Sequence, residues 1–215
     1  MLCPKYFRTV PLPDDLSNES IFKALNNTQN FFSLIREKTG IKLSEIIQAN
    51  SFSGVVSNVF TKMLHEASQY KTYSEQRYPD LMHATKHIGL EVKASNKPMK
   101  GGEGHNGHSG WHIIVCFFIL ENGDIEFTQV EISNLIGYEC ERSDWKYMGS
   151  KRNSNDSQRT ETYVTTNIGT AKLRDGTVYL NPNYVKISPF LRRNRKILGR
   201  ALAIPTYSPF YSAGL

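Results

Sequence analysis

Two carboxylates and a lysine are the residues in this chain whose types and spacing could carry out hydrolysis. Pro79-Asp80 precedes Glu91-Val92-Lys93 with ten residues between them. In an extended strand, alternation places Glu91 and Lys93 on one face. If the strand that begins near Asp80 pairs with the next one as a hairpin, Asp80 and Glu91 lie close together. Two neighbouring carboxylates raise the pKa of one of them unless a cation neutralises the pair, and Mg²⁺ with oxygen ligands would do so.

A cluster of this kind is suited to phosphodiester hydrolysis. A bound metal ion polarises the phosphate and lowers the pKa of a coordinated water. The Lys93 ammonium could orient that water and stabilise the negative charge that develops on the phosphate. The alternative is a surface hairpin with cross-strand Asp/Glu–Lys pairs, each stabilising the sheet by roughly 0.2–1 kcal/mol.

The same residues resemble the PD-(D/E)XK signature of restriction-endonuclease-like nucleases. The resemblance implies that Asp80 and Glu91 bind Mg²⁺ (with Mn²⁺ as a substitute), that the Val92 carbonyl is a further metal ligand, and that Lys93 assists the attacking water. Some members add a carboxylate from an upstream helix, for which Glu66, or otherwise Glu75, is the counterpart. The motif covers residues 79–93, and the order of helices and strands extends the similarity to about 55–133.

A glycine- and histidine-rich segment follows Lys93, and all six histidines lie within residues 65–112. The spacing of His105, His108 and His112 is compatible with zinc, but the segment is too glycine-rich for a helix, and a structural zinc site needs a fourth, defined ligand. Two interpretations remain: an ordinary polar loop, or a loop that contacts DNA. In the second, donors to phosphates or base edges would come from Lys97, Lys100, His105, Asn106 and His108.

Positive charge is concentrated in the last third of the chain. Residues 1–141 contain 13 basic and 16 acidic side chains, whereas residues 142–215 contain 13 basic and 4 acidic ones. This asymmetry favours a polyanionic partner. A polar loop within it carries side chains of the types that contact bases in the major groove, although a merely solvated loop is equally compatible. These candidate DNA-binding residues are Lys151, Arg152, Asn155 and Arg159.

Hydrophobic periodicity predicts helices followed by a sheet. Apolar rows at helical spacing predict helices over 20–35, 43–49 and 54–70. Shorter apolar or alternating runs predict strands over 78–84, 88–95, 111–120 and 124–132, joined as a hairpin series with a tight turn at Asn122-Gly123. Further extended segments are expected over 162–168 and 173–180, and Ser188-Pro189 predicts a helix to about residue 199.

These elements predict an α/β (α+β) fold with a single layered domain over residues 1–215. Within it, 1–70 would be mainly helical, 71–135 the catalytic sheet core and 142–200 the basic DNA-contacting part. The family resemblance makes this a restriction-endonuclease-like fold, with a central mixed sheet of about five strands flanked by helices.

Several broad classes are disfavoured by composition. No apolar run is long enough to span a membrane, residues 1–10 lack the apolar core of a signal peptide, and three cysteines without metal spacing favour free thiols in the cytoplasm.

Three functions remain under comparison. The first is a type II restriction enzyme acting on double-stranded DNA as a homodimer, which implies a cognate DNA methyltransferase in the same biological system. The second is a repair or junction nuclease of the same superfamily. The third is a nucleic-acid-binding module without catalysis.

Overall fold

Helices come first along the chain, and a mixed sheet follows. The computed structural model describes residues 2–73, 78–101, 103–104, 107–149, 162–190 and 204–211. Its helices are α1 (Asn18–Thr39), α2 (Leu43–Ile46), α3 (Ala49–Ala67) and α4 (Asn167–Asp175), after a short 3₁₀ turn at Pro4–Tyr6. Its strands are β1 (Tyr70–Lys71), β2 (Leu81–His83), β3 (Gly89–Ser95), β4 (Glu103–Gly104), β5 (Gly110–Ile119), β6 (Ile125–Leu135), β7 (Trp145–Tyr147), β8 (Tyr163–Thr165) and β9 (Thr177–Leu180).

Local signals define the first helix. The Ser17 side chain accepts a hydrogen bond from the Ser20 backbone N–H at 3.1 Å, which satisfies one of the unpaired donors at the start of α1. Gly40, in the left-handed conformation with φ 72°, ends it. The predicted helices over 20–35 and 54–70 are therefore confirmed, although α1 and α3 each begin before the predicted start.

The central sheet has the strand order β1-β2-β3-β5-β6-β9. Its neighbours pair antiparallel except β3 and β5, which are parallel over Leu90–Ser95 and Trp111–Cys116. The predicted series of hairpins is thus wrong at one connection. Two parallel strands require a crossover connection between them and not a hairpin turn. The tight turn at Asn122-Gly123 between β5 and β6 is confirmed, with Gly123 at φ 87°.

Each face of the central sheet is covered by a different layer. The buried side chains of Leu90, Val92, Ile113 and Val115 face α1 and α3 in the larger apolar core. On the opposite face, α4 and a small sheet of order β4-β8-β7 complete a second cluster. That cluster consists of Ile114, Cys116, Leu135, Trp145, Tyr163 and Leu173. Burial on both faces explains the nearly continuous apolar run of β5.

Residues 167–175, which were expected to be partly extended, form helix α4 instead. Its N-cap is Thr166, whose side-chain oxygen accepts from the Gly169 N–H at 3.1 Å. A Cβ on Gly169 would collide with the Asp144 backbone, so glycine permits close packing of α4 there. The extended segments predicted over 162–168 and 173–180 shorten to β8 and β9.

The fold class predicted from the sequence, mixed α/β with a sheet flanked by helices, is confirmed at that level. The central sheet has six strands in the described part, where about five were expected. The sixth, β9, lies within the region assigned to DNA contact and pairs with β6. The helix expected after Ser188 is described only over 188–190. Across the described ranges, no helix is long and apolar enough to cross a bilayer.

The junction between α4 and β9 provides a test of the packing. Gly176 accepts no side chain, because a Cβ there would overlap the carbonyl oxygen of Ile132. We expect Gly176→Ala to lower the free energy of unfolding by roughly 1–3 kcal/mol, as overpacking does, measured by urea denaturation. Gly54→Ala is the matched control: nothing lies within 4 Å of its Cβ position in α3, so it should stabilise by about 0.5–1 kcal/mol. Equal effects of the two substitutions would contradict this account.

Candidate active site

The β2–β3 hairpin positions the two carboxylates. Leu81 pairs with Leu90 and Met82 with Gly89, so Asp80 lies beside the first half of β3. A Cβ on Gly89 would collide with the Pro79 ring, which means that glycine at this position allows the approach of the Pro79-Asp80 segment. The predicted pairing of these two strands as a hairpin is thus confirmed.

Asp80, Glu91 and Lys93 form one hydrogen-bonded cluster. The Val92 N–H donates to Asp80 Oδ2 at 2.8 Å, and the Asp80 N–H donates to Glu91 Oε2 at 3.3 Å. Lys93 Nζ donates to Glu91 Oε1 at 2.5 Å. Glu91 is only 9% exposed, while the Lys93 side chain is 33% exposed. The structure thus places these three residues in contact with one another.

Burial and like charge act together on this cluster. Desolvation, followed by the charge of Glu91, raises the pKa of Asp80 to about 6. Burial, with added repulsion from Glu91 and Asp80, raises the pKa of Tyr78 to about 12. The Tyr78 phenol stays neutral at physiological pH and donates to the Ser109 carbonyl at 2.7 Å. The site therefore carries an excess of negative charge that Lys93 offsets only in part.

The Val92 carbonyl, which the resemblance implies as a metal ligand, accepts a hydrogen bond from Ser57 Oγ of α3 at 3.2 Å. Carbonyl oxygens have two lone pairs, so this contact does not by itself prevent the Val92 carbonyl from binding a cation. Val92 also acts through its N–H, which fixes Asp80. The backbone of one residue thus connects α3 to the carboxylate cluster.

Two histidine and two aromatic side chains lie next to the cluster. The sequence analysis did not predict that they would be neighbours of the carboxylates. The ring centroids of Tyr78 and His108 are 4.1 Å apart, and those of His112 and Trp145 are 5.2 Å apart. Burial, with the charges of Lys93 and His108 adding to it, lowers the pKa of His112 to about 4, so this ring is neutral. The parallel pairing of β3 and β5 places His112 opposite Glu91, and no local sequence pattern indicates that pairing.

The upstream carboxylate candidates do not join the cluster in the described structure. Glu66 lies on α3, half exposed, and forms an ion pair of 3.4 Å with Lys62. Within the described part of the chain, its polar contacts do not include Asp80 or Glu91. Glu75 lies outside the described residues.

The segment after β3 is fixed at one point by buried contacts. The Met99 N–H donates to Gln129 Oε1 at 2.9 Å, and Arg174 Nε donates to the Met99 carbonyl at 2.8 Å. The candidate DNA-binding residues Lys97, Lys100 and His108 are exposed on this segment. The others lie outside the described residues: His105, Asn106, Lys151, Arg152, Asn155 and Arg159.

Two buried side chains outside the hairpin also have raised pKa values. Glu131 is fully buried on β6, and desolvation raises its pKa to about 7. Gln129 Nε2 donates to one of its oxygens at 3.0 Å. The Cys116 thiol is buried, and burial raises its pKa well above the usual range. Cys116 therefore packs as a small apolar residue.

A cation held here would rely on few protein ligands. Among the residues that the structure describes, no group of three or more His, Cys, Asp and Glu side chains is arranged to hold a metal ion. Asp80 and Glu91 are thus a two-carboxylate donor set. Mg²⁺ is commonly bound in that way, because it keeps several waters and takes substrate phosphates as further ligands.

Comparison with known proteins gives no match: no protein-family model, curated protein or solved structure matches the chain.

Burial of Asp80 beside Glu91 predicts a pH-dependent stability. A carboxyl whose pKa rises from about 3.9 in the unfolded chain to about 6 in the folded one holds its proton more tightly in the folded state. The protonated carboxyl therefore makes its full contribution to the free energy of unfolding below its pKa in the unfolded chain. That contribution is lost as the pH rises through about 6. We expect Asp80→Asn to have a higher Tm than the unaltered chain at pH 8 with EDTA, and the two to converge near pH 4, measured by circular dichroism.

A second carboxylate, whose pKa is lowered and not raised, provides the control. The Arg36 guanidinium contacts Asp124 through two hydrogen bonds of 2.8 and 3.0 Å and lowers the pKa of that carboxyl. Asp124→Asn should therefore lower Tm at pH 8. A lower Tm for Asp80→Asn as well would show that repulsion at the hairpin is not the dominant effect.

Proposed function

We propose that this chain is a Mg²⁺-dependent endonuclease that hydrolyses phosphodiester bonds of double-stranded DNA, with a PD-(D/E)XK site, as a type II restriction enzyme. The observation that carries the proposal is the convergence of Asp80, Glu91 and Lys93 at one edge of the β2–β3 hairpin. A surface hairpin would leave such groups in water. Here Glu91 is almost buried, and a buried carboxylate needs a compensating cation.

The donor set supports a hard divalent cation. Both candidate ligands are carboxylates, and burial, with the neighbouring charge of Glu91, raises the pKa of Asp80. When bound, Mg²⁺ would neutralise this charge, polarise a phosphate oxygen and lower the pKa of a bound water.

The chain's own residues would have distinct tasks. The Val92 N–H orients Asp80, and Lys93 supplies a positive charge that stabilises the phosphate as it gains negative charge. A water oxygen bonds to phosphorus, the bond from phosphorus to the 3′ oxygen breaks, and that oxygen takes a proton. The products are a 5′-phosphate and a 3′-hydroxyl.

Charge and symmetry support duplex DNA as the substrate. The excess of 13 basic over 4 acidic residues in 142–215 favours binding to the phosphate backbone. A two-fold symmetric DNA site is contacted most economically by a two-fold symmetric protein. We therefore propose a homodimer on a palindromic sequence.

One observation favours a second candidate, a repair or junction nuclease. The neighbouring rings of Tyr78 and His108, tilted by 38° to each other, are exposed beside the carboxylates. Exposed rings of this kind stack on unpaired bases, which occur at mismatches, lesions and junctions. Discrete fragments from undamaged plasmid DNA support the restriction enzyme, whereas cleavage confined to aberrant structures supports the second candidate.

The test of catalysis is digestion of a large plasmid with Mg²⁺ and sequencing of the ends. We expect Asp80→Asn, Glu91→Gln and Lys93→Ala each to reduce the cleavage rate by on the order of 10²–10³-fold or more, since each removes a metal ligand or a stabilising charge. DNA affinity should survive, and Ca²⁺ should support binding without cleavage.

Lys23→Ala is the control for the lysine substitution, because Lys23 is an exposed lysine on α1. It should cleave at the unaltered rate. Unchanged cleavage by Lys93→Ala would refute its assigned role. DNA binding without cleavage in Mg²⁺ or Mn²⁺ would establish the third alternative, a non-catalytic binding module.

Phosphate contacts also predict a steep dependence on salt. Each neutralised phosphate releases counterions, so the logarithm of the association constant should fall linearly with the logarithm of salt concentration. We expect an affinity loss of about 10³-fold or more between roughly 50 and 200 mM salt if six or more phosphates are contacted, measured by fluorescence anisotropy. A flat response would exclude phosphate contacts as the main source of affinity.

A further inference from the structure

His112 lies on the same face of the central sheet as the candidate catalytic groups. In the parallel β3–β5 pairing, His112 is opposite Glu91 and Ile114 is opposite Lys93. Side chains at paired positions project to the same side of a sheet. His112 is 4% exposed, and the charges of Lys93 and Asp80 both act on its ring. The imidazole is therefore a buried neighbour of the cluster.

The orientation of the ring is fixed by contacts on two sides. Nδ1 lies 2.9 Å from the Gly110 carbonyl oxygen. A carbonyl only accepts, so Nδ1 carries the hydrogen and, in the neutral ring, Nε2 carries the lone pair. Trp145 packs against the ring with centroids 5.2 Å apart. Nε2 makes no hydrogen bond to any part of the chain that the structure describes.

In the proposed reaction, the other acceptors of the cluster are candidate ligands of the cation. The Lys93 ammonium has no lone pair and donates to Glu91. Asp80 accepts from the Val92 N–H, and both carboxylates are the candidate cation ligands. An attacking water needs a hydrogen-bond acceptor that turns its lone pair toward phosphorus, in the way that a positioned side chain orients a nucleophile.

We infer that His112 is a catalytic residue whose Nε2 accepts a hydrogen bond from the attacking water and so orients it toward the scissile phosphate. This inference rests on the proposed nuclease function. It adds an imidazole from β5 to the three residues of the hairpin. Lys93 then stabilises charge, and His112 directs the nucleophile.

The test compares substitutions that keep or remove the acceptor. His112→Gln supplies an amide oxygen, whereas His112→Phe fills the space between neighbouring rings without an acceptor. We expect His112→Phe and His112→Ala to lower the single-turnover cleavage rate in Mg²⁺ by on the order of 10²-fold. His112→Gln should retain at least about tenfold more activity than His112→Phe, and DNA affinity should change by less than about threefold in all three.

Chemical rescue separates water orientation from packing. Added imidazole should restore cleavage by His112→Ala, whereas pyrrole, which has the same shape but no basic lone pair, should not. Equal rescue by both compounds would assign His112 a packing role and overturn the inference. So would equal rates for His112→Gln and His112→Phe. His87→Ala, on the exposed β2–β3 turn, is the control and should cleave at the unaltered rate.

Failure of the inference is distinguishable from failure of the proposed function. If the unaltered chain cleaves no DNA with Mg²⁺ or Mn²⁺, the nuclease proposal fails, and the role of His112 falls with it. If the unaltered chain cleaves and all His112 variants match its rate, only the role of His112 is overturned.

Discussion

Repulsion between two carboxylates is the constraint on which the candidate site depends. Asp80 directly precedes β2 and Glu91 lies on the adjacent strand β3, and burial removes much of the water that would otherwise separate their charges. The fold accommodates them with the Val92 N–H on Asp80 and the Lys93 ammonium on Glu91. These contacts hold the pair in place without fully neutralising it, as the raised pKa of Asp80 indicates. An arrangement that costs stability in the free protein is suited to a cation arriving with its substrate.

The sheet that holds this pair is supported differently on its two faces. Leu90 and Val92 anchor β3 in the apolar core beneath α1 and α3, and the hydroxyl of Ser57 on α3 also contacts β3. On the other face, Glu91 and Lys93 share their side of the sheet with His112 and Ile114. Rigid packing on one face therefore fixes the backbone from which the polar groups of the other face project. Precise placement of reactive groups requires such support.

Local chemistry was predictable from the sequence, and long-range pairing was not. The Asn122-Gly123 turn and the shared face of Glu91 and Lys93 both follow from short-range rules. The parallel pairing of β3 with β5 depends on contacts between distant segments, so no local pattern aligned His112 with Glu91.

Two other departures have similar causes. Extended structure was expected up to residue 168 and again from residue 173, but residues 167–175 become helical under Thr166 capping and close packing of Gly169. The alternating pattern of β6 is typical of a half-buried strand, yet Glu126, Thr128 and Glu131 are all buried. In both places, tertiary packing outweighed the preference of the isolated segment. The resemblance to a nuclease motif identified the hairpin residues, but not the rings around them.

The buried contacts of Met99 connect the segment after β3 to residues near the end of the described chain. Met99 is fully buried with Val185 and Phe210, and Arg174 holds its carbonyl. The crossover segment that leaves the hairpin is thus clamped by residues that occur much later in the chain. Any force that a bound molecule exerts on that segment would be transmitted to the β9 side of the sheet and to residues 204–211. Loss of these contacts would release the segment around Met99 while leaving the β2–β3 hairpin intact.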